Sequence, residues 1–205
     1  MGLWNRIFAA AYDPFVAAAE TKGIAKARRD LLREARGRVL EIGAGTGLNV
    51  EHYPSGIDLV LTEPDEHMAK RLRGRAGDAE VVITGAERLP FEDGTFDTVV
   101  STLVLCTVPE VGAALQEVRR VLRPGGRLLF LEHVRAAPGS RLARWQDRAQ
   151  RPWCAFAAGC NCNRDLLASL AAESFELVEL RRENWRFMPP IVRPVVIGAA
   201  APHSA

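Results

Sequence analysis

One stretch, Val39-Leu40-Glu41-Ile42-Gly43-Ala44-Gly45-Thr46-Gly47, constrains the fold more than any other part of the chain. A short β-branched run, Arg38–Ile42, ends in three glycines spaced two apart, and a helical stretch over Leu48–Tyr53 is expected to follow. Glycine lets the backbone turn tightly and lets a ligand approach the main chain, while the helix start offers free N–H groups. Such a loop is also an ordinary strand-to-helix turn. Its place after the first strand of a strand–helix alternation favours a ligand site.

That alternation continues. Leu59–Thr62 reads as a second strand, Asp65–Arg73 as a helix and Val81–Thr84 as a third strand. Thr98–Thr102 is a fourth strand, entered through Glu92-Asp93-Gly94. Val111–Leu122 is a helix stopped by Pro124-Gly125-Gly126, and Arg127–His133 is a fifth strand. Beyond it come an amphipathic helix over Ser140–Gln150, a helix over Arg164–Ala172 and strands over Glu176–Leu180 and Val195–Ala199. Pro194 suits a strand's first position or an edge. Ahead of the alternation, Leu3, Trp4, Ile7, Phe8, Ala11, Tyr12 and Phe15 recur at helical spacing between Gly2 and Lys26, interrupted at Asp13-Pro14. An Arg-rich helix spans about Ala25 to Ala35. The expectation is an α/β fold: a doubly wound, mostly parallel seven-stranded sheet with its last strand antiparallel. A single domain, 1–205, would comprise an N-terminal helical lid (1–36), a cofactor-binding core (37–134), a helical cap (135–164) and C-terminal helix and strands (165–205).

Lys+Arg is 27 and Asp+Glu is 25 in 205 residues, a balance that argues against nucleic-acid binding by bulk charge. The charge is uneven, however: residues 135–164 hold six arginines against Asp147. Cys154, Cys160 and Cys162 do not have a zinc-ligand spacing and have no histidine beside them in sequence, so no metal is expected and the thiols read as reduced. No run approaches the roughly 18 apolar residues of a membrane span. The apolar run from Ile7 breaks at Asp13, unlike a signal peptide. A cytoplasmic monomer, at most peripheral to a membrane, is expected.

Polarity narrows the ligand. A dinucleotide loop is G-x-G-x-x-G, whose third glycine supports packing behind a pyrophosphate. Here the pattern is G-x-G-x-G with Glu41 ahead of it, which disfavours a nicotinamide dehydrogenase and suits a cationic ligand such as a sulfonium bearing an ammonium group. Glu63 ends the second strand, where an acid can take both ribose hydroxyls, and Gly85-Ala86-Glu87 follows the third, where an adenine would lie.

With Thr62-Glu63-Pro64, Leu89-Pro90-Phe91, Phe96-Asp97 and Leu122-Arg123-Pro124-Gly125-Gly126 in order, Val39 to Val134 resembles class I S-adenosylmethionine-dependent methyltransferases. A narrower similarity, to the methyltransferase-like thiol (alkyl-thiol) methyltransferases, lies in Tyr53-Pro54, Thr102-Leu103-Val104-Leu105-Cys106 and Glu117 to Gly126. It continues through Glu132-His133-Val134, Gly159-Cys160-Asn161 with Arg164-Asp165, and Val192-Arg193-Pro194 with Gly198. The resemblance implies S-adenosyl-L-methionine as cofactor, released as S-adenosyl-L-homocysteine. It implies cofactor contacts from Glu41, Gly43, Ala44, Gly45, Gly47, Glu63, Pro64, Gly85, Ala86, Glu87, Thr102 and Leu103. An aspartate is common in the general family where Gly85 stands, so the adenine contact would fall to backbone groups or Glu87. Members of the thiol branch carry a long hydrophobic N-terminal anchor, and no such run opens this sequence.

Methyl transfer from a sulfonium is an in-line displacement in which the protein mainly positions the partners. A thiol of pKa near ~8.5 already supplies thiolate near neutrality, so a strong base is optional. Three candidates stand near the methyl group. His133 can deprotonate an acceptor or bond the backbone, Cys106 can act or simply fill space, and Tyr12 can fold over the cofactor or belong to the core. The acceptor pocket should come from the N-terminal helix and the 135–164 insertion. There Arg141, Arg144, Arg148 and Arg151 share a helix face, near Leu142, Trp145, Ala149 and Trp153. That face reads as solvated, or as meeting an acidic acceptor, a thiol or anionic headgroups; Trp4, Ile7 and Phe8 suit a membrane contact or a lid. The leading expectation is methyl transfer to a small-molecule thiol. Alternatives are O-, N- or C-methylation of a lipid or quinone-type molecule, or a non-catalytic adenosyl-ligand-binding protein.

Overall fold

Aliphatic runs that can be covered on both faces become the central strands. The computed structural model, which describes Ala9, residues 12–14 and residues 16–203, contains seven strands in one sheet. They are Arg38–Ile42 (β1), Asp58–Thr62 (β2), Glu80–Val82 (β3), Phe96–Thr102 (β4), Leu122–His133 (β5), Phe175–Asn184 (β6) and Pro194–Pro202 (β7), ordered β3-β2-β1-β4-β5-β7-β6. β1 to β5 pair in parallel, and β7 runs antiparallel between β5 and β6. The expected mostly parallel sheet is therefore present.

Strand alternation sends Leu40, Ile42, Leu128 and Phe130 to one face and Val39, Leu129 and Leu131 to the other. The first face packs against Leu115 and Val118 of Val111–Val121 (α3) and Leu166 and Leu170 of Leu166–Ala172 (α5). The second packs against Leu31 and Leu32 of Ala25–Leu32 (α1). Glu66–Arg73 (α2), capped by Asp65, links β2 to β3, and Arg141–Phe156 (α4) forms the cap. Strand order reverses between β1 and β4. At such a switch point the loops leaving the two strands diverge and open a crevice at their carboxyl ends.

Several boundaries differ from the sequence reading. Pro124-Gly125-Gly126 does not precede β5 but lies inside it: the β4–β5 register shifts between Phe96 and Thr98, and Gly125 takes φ +80°, so a bulge absorbs the turn. β6 and β7 are longer than expected because they pair with each other from Phe175↔Pro202 to Asn184↔Pro194. α4 continues through Pro152 to Phe156, with Ala149 and Trp153 packed on buried Cys106, Ile191 and Val192. Over Leu48–Tyr53 only the 3₁₀ turn Val50–His52 forms, since Asn49 turns inward to bond other elements. Residues 12–14 and 16–19 are helical, with position 15, next to the expected interruption at Asp13-Pro14, outside the described residues, and a kink falls at Gly23 (φ +156°) within the π-helical turn Glu20–Ile24. Leu3, Trp4, Ile7, Phe8, Ala11 and Phe15 lie outside the described residues. Among the described residues no helix is long and apolar enough to cross a membrane.

Gly198 in β7 is required by packing: a Cβ there would lie 2.1 Å from the Glu179 carbonyl oxygen, at the β6 irregularity between Leu177 and Glu179. Gly198→Ala is expected to lower the unfolding free energy by about 1–3 kcal/mol or more, as overpacking does. Urea unfolding checks this, and an unchanged midpoint would show that the bulge yields freely.

Candidate active site

The glycine loop is fixed from below by β2 and from the side by β4. Gly43 has φ +58°, and a Cβ on it would lie 2.7 Å from the Val104 side chain. Ala44 N–H donates to the Thr62 carbonyl at 2.8 Å. Glu63, just past β2, accepts from Gly45 N–H and Asp65 N–H, each at 2.9 Å. Burial pushes its pKa up, against those two bonds. Each carboxylate oxygen still has lone-pair capacity for a ligand. Pro64 beside it is exposed. In the Gly85–Glu87 loop beyond β3, Ala86 is buried, and a Cβ on Gly85 would come within 3.0 Å of Glu87 Oε2.

At the β1/β4 switch point a narrow cleft is lined by Tyr12, Arg28, Gly43 to Thr46, Leu48 and Thr102 to Val104. Leu103 adopts φ +61°, a strained conformation for leucine at the cleft wall. The cleft encloses about 50 Å³, well below the roughly 300 Å³ of a small-molecule pocket. Asp13 accepts from Thr46 Oγ1 at 2.6 Å and from Arg75 Nη2 at 2.6 Å, while Arg75 Nη1 donates to the Thr46 carbonyl at 2.9 Å. Burial would raise the Asp13 pKa, but the Thr46 and Arg75 bonds outweigh it and hold it down. A larger depression, about 350 Å³, lies at the starts of β2 and β3, between Tyr53, Asp58 and Glu80, away from this cleft.

Behind the cleft is a buried polar network that the sequence reading missed. Arg28, 4% exposed, donates from Nη1 to Asn49 Oδ1 (2.9 Å) and Thr102 Oγ1 (2.8 Å), and from Nε to Glu20 (3.2 Å). Asn49 Nδ2 donates to Glu41 at 2.8 Å, and Tyr53 O–H donates to Glu41 at 2.7 Å. Glu41 thus reaches the cleft only through Asn49, Thr102 and Arg28, and does not line it. Burial raises its pKa to about 7, although the bonds from Tyr53 and Asn49 oppose the shift. Arg28 sits three and four residues before Leu31 and Leu32, so helical spacing alone places it on the buried face of α1.

A third group gathers behind Val104, the last residue of the cleft wall. Glu132, fully buried, accepts from Ser101 Oγ (2.7 Å), Val104 and Leu105 N–H (3.0 Å each) and Cys106 N–H (3.1 Å). His133 follows it, with Nδ1 3.9 Å from Cys160 Sγ. Asn161 N–H donates to the Cys106 carbonyl at 2.7 Å, bringing the cap's Cys160 beside Cys106. The two thiols interact: the Cys106 thiol is pushed up by its bond to Cys160 and by burial, whereas bonds from Cys106 and His133 hold the Cys160 thiol down against burial. Cysteines with no histidine near them in sequence therefore have one near them in space. Burial pushes the Tyr12 phenol up, and Arg28 opposes the rise.

Residues 40–130 match the methyltransferase domain family. Human (Homo sapiens) thiol S-methyltransferase TMT1B is 32% identical over 98% of this chain and 89% of its own length. This chain belongs to the thiol S-methyltransferase family. A ubiquinone/menaquinone biosynthesis C-methyltransferase, UbiE, of Pseudomonas putida is 42% identical, but over only 46% of the chain. A solved SAM-dependent methyltransferase of Thermotoga maritima superposes with a TM-score of 0.68 at 26% identity, covering 96% of this chain and 98% of that one. The protein is accordingly an S-adenosylmethionine-dependent methyltransferase.

For this methyltransferase the Glu41 shift has a measurable consequence. The folded pKa, about 7, exceeds the ordinary 4.5. Between those values the native state holds a proton that the unfolded chain has released, so this group's contribution to stability falls as pH rises through the window and is flat above it. Glu41→Gln removes the effect. The stability difference between variant and wild type should change in the variant's favour by up to about 3 kcal/mol from acidic to neutral pH. Urea unfolding of both proteins across that range checks it, and parallel pH profiles would contradict it.

Proposed function

We propose that this enzyme transfers the methyl group of S-adenosyl-L-methionine to the sulfur of a small-molecule thiol. The observation that carries the reading is the whole-length likeness to thiol S-methyltransferases, which takes in the cap supplying Cys160; the C-methyltransferase likeness spans less than half of the chain. In this reading Glu63 takes the ribose hydroxyls and the 85–87 loop borders the adenine. Gly43, Ala44, Gly45 and Gly47 bring the main chain against the cofactor, with Thr102 and Leu103 as the opposite wall. Arg28 meets the cofactor's carboxylate, and Glu41, acting through Asn49, sets the polarity that favours its ammonium. The acceptor enters between Tyr12 and the Cys106–His133–Cys160 group. Thiolate sulfur attacks the methyl carbon in line as the carbon–sulfonium bond breaks and its electron pair returns to sulfur. Positioning and a water-poor apolar surround from Trp153, Ile191 and Val192 supply most of the assistance.

Calorimetry should show binding of S-adenosylmethionine with no comparable affinity for NAD. Glu63→Ala should weaken it by roughly 1–3 kcal/mol, the worth of a lost charge-assisted hydrogen bond. In an acceptor panel read by S-adenosylhomocysteine formation, thiols should be methylated. Turnover of amines or hydroxyls with no thiol turned over would refute the acceptor class.

α4 also supports a peripheral membrane contact. Arg141, Arg144, Arg148 and Arg151 are all exposed, and Trp145 and Phe156 lie exposed on the same helix at 46% and 55%. Cations beside solvent-facing aromatics suit an anionic lipid surface. Cosedimentation with phosphatidylserine-containing vesicles, lost in neutral vesicles and on exchanging the four arginines for glutamate, is expected. Equal recovery with both vesicle types would contradict it.

A further inference from the structure

Cys106, His133 and Cys160 come from the β4 exit, the end of β5 and the cap. They bring two sulfurs and one ring nitrogen within 4.8 Å of one another, and all three residues are buried. The His133 Nδ1–Cys160 Sγ separation is 3.9 Å. That is a long, weak hydrogen bond to sulfur, and it is close to the roughly 3.6 Å between an imidazole nitrogen and a thiolate on one tetrahedral zinc, with Zn–N of about 2.0–2.1 Å and Zn–S of about 2.3 Å. Nε2 of His133 is buried and has no hydrogen-bond partner among the described residues. Nδ1, whose one contact is the long one to the Cys160 sulfur, is the nitrogen placed to ligate, and ordinary hydrogen bonds do not account for the position of this buried ring.

The supports of the three side chains are built independently of any ion. Glu132 fixes the Val104–Cys106 backbone, Asn161 N–H holds the Cys106 carbonyl, and Arg164 Nη1 donates to the Val108 carbonyl at 2.7 Å. Gln146, fully buried in α4, donates to the Cys162 and Ile191 carbonyls at 2.8 and 2.9 Å and so fixes the far side of the Cys160 loop. Metal binding would release the protons of both buried thiols, and a divalent ion would neutralise the two thiolates so formed, which burial beside Glu132 otherwise disfavours. Sulfur and imidazole donors select a soft or borderline metal over magnesium or calcium, which take oxygen.

We propose that Cys106, His133 and Cys160 bind a zinc ion at the acceptor end of the cofactor cleft, and that the ion's fourth position takes the acceptor sulfur. Two cysteines and one histidine with one open position form a known type of catalytic zinc set. The second half of the inference rests on the thiol reading above. The acceptor thiol loses its proton to solvent on coordination, and its sulfur stays nucleophilic at neutral pH. A lone pair on that sulfur forms the new S–CH₃ bond while the cofactor's CH₃–S⁺ bond breaks, the electron pair returning to the departing sulfur. The thioether product is uncharged, a weaker donor, and leaves.

The test uses the full chain, reduced, stripped of metal by chelator and titrated with Co²⁺. One equivalent should bind, with thiolate-to-cobalt charge transfer in the near ultraviolet and the intense visible bands of a tetrahedral ion. Cys106→Ser and Cys160→Ser should each weaken binding about tenfold or more and diminish the charge transfer, whereas Cys154→Ser should leave both unchanged. If a serine variant does not fold, X-ray absorption on the zinc-loaded wild type decides instead, with two sulfurs at about 2.3 Å expected. No saturable cobalt binding, bands that persist in both variants, or an oxygen-only shell would each overturn the site. A small alkyl thiol should then shift the cobalt bands; no shift, while thiols are still methylated, overturns the acceptor role alone. A panel in which no thiol is methylated defeats the thiol reading and leaves the cobalt titration to decide the metal site.

Discussion

The Glu132 carboxylate is the constraint on which the active-site end of this molecule depends. It lies in the middle of the sheet's carboxyl edge and accepts four hydrogen bonds, three of them from consecutive backbone N–H groups. Burial works against its charge, and the bonds from Ser101, Val104, Leu105 and Cys106 work for it. Because three donors are backbone groups just past β4, the carboxylate sets the path of that turn. It places Leu103 at positive φ against the cleft, Val104 against Gly43, and Cys106 toward the cap. Losing it would leave several buried donors unsatisfied together, a far larger perturbation than losing one surface ion pair.

A second carboxylate does comparable work on the other side of the switch point. Glu63 ties the glycine loop to the start of α2 through the Gly45 and Asp65 amides. Between the two acids, the Arg28–Asn49–Thr102–Glu41 network carries charge from α1 into the sheet. The cofactor end of the cleft is thus built from groups whose polarity is fixed before any ligand arrives. The end proposed for the acceptor is soft and apolar, made of sulfur, imidazole and indole. The two ends suit a cation donor and a sulfur acceptor respectively. Asp13 of the N-terminal segment is tied to the glycine loop through Thr46 and Arg75.

Features set by local chemistry were legible in the sequence. The glycine loop and the strand runs around Val39, Val99 and Leu129 all follow from neighbours within a few residues. Boundaries decided by pairing were not. Pro124-Gly125-Gly126 has every mark of a stop, yet Leu122 pairs with Phe96 ahead of the bulge and the strand continues across it. Leu48–Tyr53 has helical character, but Asn49 contributes more by bonding Glu41 and accepting from Arg28 than by extending a helix. The candidate site divides in the same way. Glu63 announces itself by ending a strand, whereas Cys160 has meaning only once Asn161 has docked on Cys106, far away in sequence. Spacing rules for metal ligands assume ligands close along the chain, and this trio is assembled by topology instead.

A structure of the protein with S-adenosyl-L-homocysteine bound tests the central claim most directly. The account predicts the ribose on Glu63, the carboxylate toward Arg28, and the cofactor sulfur facing the Cys106–His133–Cys160 group across the space left for the acceptor. A cofactor sulfur directed away from that group, with the three side chains walled off from the cleft, would contradict it.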